Sequence, residues 1–391
     1  MTAGVDRRAA LRWGCAHCAL LVLAQRRALA ADPASWVAPS RFAAPDPASD
    51  EGGLWAMMAH EEQRIRRGQL LMRDRGLHDY LQTVACRLGG EHCPDIRIYP
   101  IRTPWFNASM APNGMMQVWS GLLLRVDNEA QLAAVLGHEM GHYMQRHALE
   151  RLKDARSRSA FATLLMPFGL GGALGAMMIA ASSFSFTRDQ EREADRIGLT
   201  LMRQAGYDPR EASVIWSNLL AEASVHPGAN VSRTSPMFAT HPASAERRET
   251  LAQLAGAGGG DTLQSEYLAH VALLQRDLLE DEIKRAEFDE TIVLLDRLTR
   301  RSPERPDLLY FRGEAHRLRA QKDDTDLALA DLNAASAMPE PPAEVERSLG
   351  FIHQARGDKA AAREAFGKYL QAKPDAGDAA MIQSYVRELG T

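Results

Sequence analysis

Leu136-Gly137-His138-Glu139-Met140-Gly141-His142 is the stretch on which the reading of this chain turns. Around it Leu132, Val135, Leu136, Met140 and Tyr143 recur at helical spacing, and Asp127 or Asn128 stands where an N-cap belongs. The segment is therefore predicted to be a helix. On it, His138 and His142 lie one turn apart on one face, so two imidazoles can hold one metal ion. Glu139 projects beside them, where a carboxylate can take a proton from water as a general base.

A catalytic zinc normally takes three protein ligands and keeps a further position open. His147 follows His142 by five residues and would point about 140° away on a continuous helix. It is expected in a supporting position or on the surface. The longer metzincin motif would require histidine at the next position, which is Ala148. A better third ligand lies in Asp189-Gln190-Glu191-Arg192-Glu193-Ala194-Asp195. Glu191 and Asp195 are four apart and share a helix face, whereas Glu193 points to the opposite side. Glu191 can bind the metal while Asp195 accepts a hydrogen bond from a ligand imidazole and fixes its tautomer. Two histidines and one carboxylate without thiolates suit hydrolytic zinc, one Zn2+ per chain.

Working outward, residues 54–72 and 77–88 carry apolar side chains at helical spacing. Ile96, Ile98 and Ile101 form a short strand pattern, and residues 106–110 and 115–119 flank the turn signal Pro112-Asn113-Gly114, predicting a hairpin. Met115, Met116, Gln117 and Val118 are expected to bind substrate backbone as an added strand. Residues 161–187 contain no charged side chain, with Pro167 and clustered glycines. A flexible apolar loop or helical hairpin over a cleft is expected there. A membrane span or re-entrant segment is the alternative.

The first thirty residues read as a signal peptide. Arg7 and Arg8 precede an apolar run over residues 13–24, and Ala28-Leu29-Ala30 is a small-x-small cleavage site. The segment around Arg7 and Arg8 also resembles a degenerate twin-arginine signal, so the expected location is the periplasm. Residues 31–53, rich in Pro, Ala, Ser and Asp, read as a linker. Export affects the cysteines. Cys15 and Cys18 leave with the signal; Cys86 and Cys93 can close a disulfide over a short loop, two reduced buried thiols being the alternative.

From about Gln264 the texture changes to helix pairs. Pro303, Pro339 and Pro374 are 36 and 35 residues apart, with Tyr310-Phe311-Arg312-Gly313 and Ser348-Leu349-Gly350-Phe351 at matching places and Phe366 before the last proline. This period resembles tetratricopeptide repeats. The organisation expected is a signal peptide (1–30), a linker (31–53), a metalloprotease domain (54–258) and a repeat domain (264–391).

Composition bounds the alternatives. The 391 residues are 46% hydrophobic and 25% charged, which excludes a mostly disordered chain and a polytopic membrane protein. Forty arginines stand against six lysines, yet the net charge is -4, and without the signal it becomes -8, from 41 basic and 49 acidic residues. No nucleic-acid partner is expected.

Residues 56–250 resemble the membrane and periplasmic zinc proteases related to HtpX and the CAAX prenyl endopeptidase. The residues that carry this are Asn107-Ala108, Ser120-Gly121-Leu122-Leu123, the two metal motifs, and Thr240-His241-Pro242 followed by Arg247. His226-Pro227 shares only the dipeptide and is read as structural. The resemblance implies His138, His142 and Glu191 as zinc ligands and Glu139 as general base. It also implies a role for His241. Either His241 assists the oxyanion together with Arg247, or it fills the fourth zinc position and holds the enzyme latent.

The fold expected is mainly α (α+β): a zincin-type helical protease domain with a small β-hairpin or sheet, then an α-solenoid of tetratricopeptide-like helix pairs. The function expected is proteolysis of unfolded or misassembled proteins, which the resemblance sets in outer-membrane protein quality control. The repeats would meet clients or, as the resemblance implies, the outer-membrane β-barrel assembly machinery, and residues 161–187 would give peripheral membrane contact. A chaperone or scaffold with a latent metal site, and an integral-membrane protease, are the rivals.

Overall fold

The structure is a computed structural model, and it describes residues 36–151, 186–225, 237–238, 241 and 245–390. The predicted signal peptide, most of residues 161–187 and the His226-Pro227 dipeptide lie outside the described residues. Residues 36–40 carry no helix or strand. The described helices and strands belong to one compact unit, Arg41–Thr391.

The protease-like part opens with helices α1 (Asp50–Arg67) and α2 (Arg75–Gly89). Helix α1 begins four residues earlier than the apolar pattern indicates, inside the expected linker, because the Ser49 hydroxyl accepts from Gly52 N at 3.0 Å and so caps it. A disulfide joins Cys86, near the end of α2, to Cys93 in the 3-10 turn that follows.

Strands β1 (Arg97–Ile101), β2 (Ala108–Met110) and β3 (Met115–Trp119) form one sheet in the order β1-β3-β2. The predicted hairpin is present as the antiparallel pair of β2 with β3, and β1 lies parallel to β3 on its other side. This corrects the expected substrate strand. Met116, Gln117 and Val118 have sheet partners on both sides, so their N–H and C=O groups are committed and no further strand can be added at β3. The outer sides of the sheet belong to β2 and to β1, the latter meeting Leu71 in a single bridge to Ile101.

Helices α3 (Ser120–Arg125) and α4 (Glu129–Met144) follow. Of the two cap candidates Asn128 is the one used, its Oδ1 accepting from Gln131 N at 2.9 Å. Every residue of α4 is buried, not only its apolar stripe. It is the central helix, packed against α2, strand β2, and three later helices: α5 (Arg188–Gln204), α6 (Glu211–Ala223) and α8 (Gln264–Arg285). Helix α7 (Ala245–Ala255) lies against α6 and α5.

The contact of α4 with α5 positions the site. Gly141 faces Ala194, and a Cβ at Gly141 would come within 2.9 Å of Ala194 Cα. One turn away Gly198 faces His138, where a Cβ would stand 3.0 Å from the backbone nitrogen. Small residues on both helices thus let the two backbones touch, bringing a side chain on α5 within reach of the α4 histidines.

The remainder is helical: α9 (Phe288–Arg301), α10 (Pro306–Arg319), α11 (Asp324–Ser336), α12 (Glu344–Ala355), α13 (Lys359–Ala372) and α14 (Ala379–Glu388). Each packs on the next, and the α10–α11 and α12–α13 pairs are joined through α11 and α12. These helices are tied to the first part by buried ions. Arg125 of α3 donates from Nε to Glu222 of α6 at 2.6 Å and from Nη2 to Glu282 of α8 at 2.8 Å. Asp127 accepts from Arg297 and Arg301 of α9. Among the described residues no helix is long and apolar enough to cross a membrane.

Candidate metal centre

His138 and His142 project from α4 and meet Glu191 from the first turn of α5, whose start is set by a capping box between Thr187 and Gln190. His241, from the chain between α6 and α7, completes a buried group of four. His138 Nε2 is 3.2 Å from His142 Nε2 and 3.2 Å from His241 Nδ1. Glu191 Oε1 is 2.8 Å from His241 Nδ1 and 3.4 Å from His142 Nε2, and Glu191 Oε2 is 3.6 Å from His138 Nε2. Four N/O ligands about 2.0–2.1 Å from a tetrahedral zinc would stand about 3.3–3.4 Å apart. The donor types and their spacing fit a divalent metal, with His241 Nδ1 at the fourth corner.

The surrounding groups aim these donors. Asp195, one turn after Glu191, lies with Oδ1 2.9 Å from His138 Nδ1, so it can accept that N–H and leave Nε2 as the ligand atom. Arg247 of α7 spans both carboxylates of α5. Its Nη1 is 2.9 Å from Glu191 Oε2, its Nη2 donates to Asp195 Oδ1 at 2.6 Å and its Nε to Asp195 Oδ2 at 2.8 Å. The guanidinium also rests over the ring of Trp216, 4.1 Å from its centroid. The resemblance offers Arg247 as an oxyanion partner; its contacts here are those of a positioning residue behind the carboxylates.

Glu139 is buried beside the group, and its Oε1 is 3.5 Å from His241 Nε2 without a hydrogen-bond partner among the described residues. Burial raises its carboxyl, and His241 and His138 offset this only in part. Burial would also raise Glu191, but His241, His142 and His138 around it hold that carboxyl far below the usual range. For Asp195 burial is outweighed by Arg247 and His138, which bring it down to about 2. Burial pushes His142 well below the ordinary histidine value, so its ring is neutral with a lone pair to offer.

His147 takes the supporting position and not the surface, by a route that a continuous helix would not give. Helix α4 ends at Met144, and Arg146 takes a left-handed backbone, φ 58°. That turn swings His147 back into the interior, where its Nδ1 lies 2.9 Å from His142 Nδ1. Glu193, predicted to point away, reaches the far side of this ring, Oε2 3.5 Å from His147 Nε2. Phe186 stacks on His142 at 3.8 Å between centroids and had no sequence signal that singled it out. Arg151 lies over the same ring of Phe186.

A central helix bearing both imidazoles and a second helix bearing the carboxylate define a metallopeptidase domain of the zincin type. Residues 71–255 match the model of Peptidase family M48. The chain is similar to the mitochondrial metalloendopeptidase OMA1 of Schizosaccharomyces pombe, 34% identical over 152 residues, which are 38% of this chain and 44% of that one. The Arabidopsis thaliana protein of the same name is 33% identical over 153 residues, 39% of this chain and 30% of that one. The β-barrel assembly-enhancing protease of Escherichia coli K12 is 29% identical over 203 residues, 46% of this chain and 39% of that one. The chain thus spans less than half the length of these relatives.

Proposed function

We propose that this chain is a zinc-dependent endopeptidase that cleaves unfolded or misassembled proteins in the periplasm. The observation that carries the reading is the convergence of His138, His142 and Glu191 with the Glu139 carboxylate beside them. Zinc held by these ligands would supply Lewis acidity, acidifying water and polarising the scissile carbonyl. Glu139 would receive the proton at its carboxylate and pass it to the leaving amine nitrogen. Its raised carboxyl suits both steps. Asp195 keeps the His138 tautomer, and Arg247 keeps Asp195 and Glu191 in register.

His241 has to vacate the fourth corner before substrate can enter, so the arrangement is read as a resting one. The same observation favours the second reading, a periplasmic chaperone or scaffold whose metal site stays dormant. The signal-like first thirty residues support export. Helices α9–α14 offer a surface for clients or for a partner such as the outer-membrane β-barrel assembly machinery. The name of the Escherichia coli relative supports that setting.

Metal analysis of the purified mature protein, coupled to digestion of casein, tests the proposal. About one zinc per chain and cleavage that stops on chelation are expected. A preparation that binds no divalent ion, or that cleaves equally well with and without chelator, would overturn it.

A further inference from the structure

The two ligand histidines of α4 are not served alike. His138 has a carboxylate at its Nδ1, Asp195, whereas His142 has no carboxylate there and has instead the Nδ1 of another imidazole, His147, at 2.9 Å. We infer that His147, with Glu193 behind it, is the positioning residue that holds His142 as an Nε2 ligand. The inference rests on the metal-site reading and adds a residue which that reading does not use.

The geometry allows one consistent arrangement of protons. His142 Nε2 faces the other donors, 3.2 Å from His138 Nε2 and 3.4 Å from Glu191 Oε1, so its lone pair must be there and its proton on Nδ1. That proton points at His147 Nδ1, which can accept it only if His147 carries its own proton on Nε2. Glu193 Oε2 stands 3.5 Å from His147 Nε2, on the side where that proton emerges. The relay therefore runs from Glu193 through His147 to His142, an imidazole inserted where a carboxylate would otherwise sit. Both rings are buried, and Phe186 stacked on His142 keeps bulk water from replacing the bond. The left-handed turn at Arg146 is what delivers His147 to this place.

The test compares His147→Ala with His147→Asn in the full-length mature protein, since the Asn Oδ1 stands near the place of the lost Nδ1 and can accept the same proton. Zinc affinity is measured by competition with a chromophoric chelator. The His142 Nδ1–H is followed by long-range proton–nitrogen correlation in zinc-loaded protein with labelled histidine, and circular dichroism verifies the fold. His147→Ala should weaken zinc binding about 10–100-fold and lose the slowly exchanging Nδ1–H signal, while His147→Asn should stay within a few-fold and keep it. Unchanged affinity in His147→Ala, or equal losses in both folded variants, would overturn the inference while leaving the metal site standing. Wild-type protein that takes up no zinc would remove the proposed function and this inference together.

Discussion

His241 Nδ1 lies 2.8 Å from Glu191 Oε1, as near to the ligand carboxylate as a hydrogen-bond partner and inside the same donor cluster as His138 and His142. A histidine there competes with substrate for the fourth corner. If the closed arrangement outweighs the open one by about 1.4 kcal/mol, removing the ring should raise basal casein cleavage about tenfold. His241→Ala is expected to do so. A fall in rate would mean that the ring serves the oxyanion and does not block the site.

Glu139 has a different signature. Its carboxylate stands beside the donors and is not among the four that group as ligands. Glu139→Gln should therefore keep its zinc, by direct metal analysis, and lose about 10²–10⁴-fold in casein cleavage. Loss of metal in this variant would make Glu139 part of the coordination sphere.

Much of this centre is visible in local sequence. The two-histidine helix with its Asn128 cap, the acidic start of α5 and the hairpin each have a signature within a few residues. What escapes is set by contacts distant in sequence. His241 lies 103 residues from the ring it meets, and no periodicity reaches that far; the resemblance alone points to it. The supporting position of His147 is expected, but its contact with His142 is not, because nothing in Gln145-Arg146-His147 announces a left-handed residue. The middle place of β3 is not written in a hairpin signal either, which pairs β2 with β3 and is silent about β1. Its adjacent buried methionines, Met115 and Met116, are the trace of a strand covered on both faces.

The small residues between α4 and α5 give a test of how Glu191 is delivered. Gly141→Val puts a branched side chain where a Cβ would already stand 2.9 Å from Ala194 Cα, so the helices must separate. A cost of about 1–3 kcal/mol in unfolding free energy is expected from overpacking. Zinc affinity should fall further than the Tm shift alone explains, because Glu191 rides on the displaced helix. Calorimetry with and without zinc separates the two effects. A variant that loses stability but binds zinc normally would show that the helix contact does not tune the site.

The buried ions between the protease part and the later helices form a second test. Arg125, 2% exposed, is shared by Glu222 and Glu282, and Glu282 is held also by Arg285. Removing the cation leaves Glu282 to the cation of Arg285 alone and Glu222 to that of Arg297 at 3.4 Å, so the two interior carboxylates lose their shared partner. Arg125→Met should cost about 3–5 kcal/mol and loosen α8 and α9 from α3, seen as faster amide hydrogen exchange across α8. Replacing all three residues with apolar ones of similar volume should recover much of that loss, and failure to recover it would mark the ions as more than a packing solution.

Acid should destabilise the fold in part through Glu62. Its Oε1 accepts from Tyr99 Oη at 2.6 Å and from Arg97 Nε at 2.6 Å, and Arg66 adds a third donor at 3.0 Å. Burial alone would raise this carboxyl, but Arg97, Tyr99 and Arg66 bring it down to about 2. A carboxyl whose folded value lies below its unfolded one stabilises the fold above the unfolded value, and the contribution is lost as pH falls through the folded value. Glu62→Gln should therefore be less stable than wild type near pH 7, by about 1.5–3 kcal/mol and toward the lower figure because both arginines are partly exposed. The gap should close between about pH 4.5 and pH 2. Urea unfolding of both proteins across that range measures it. A gap that stays constant down to the lowest pH at which both fold would mean that Glu62 acts through its shape and not through its charge.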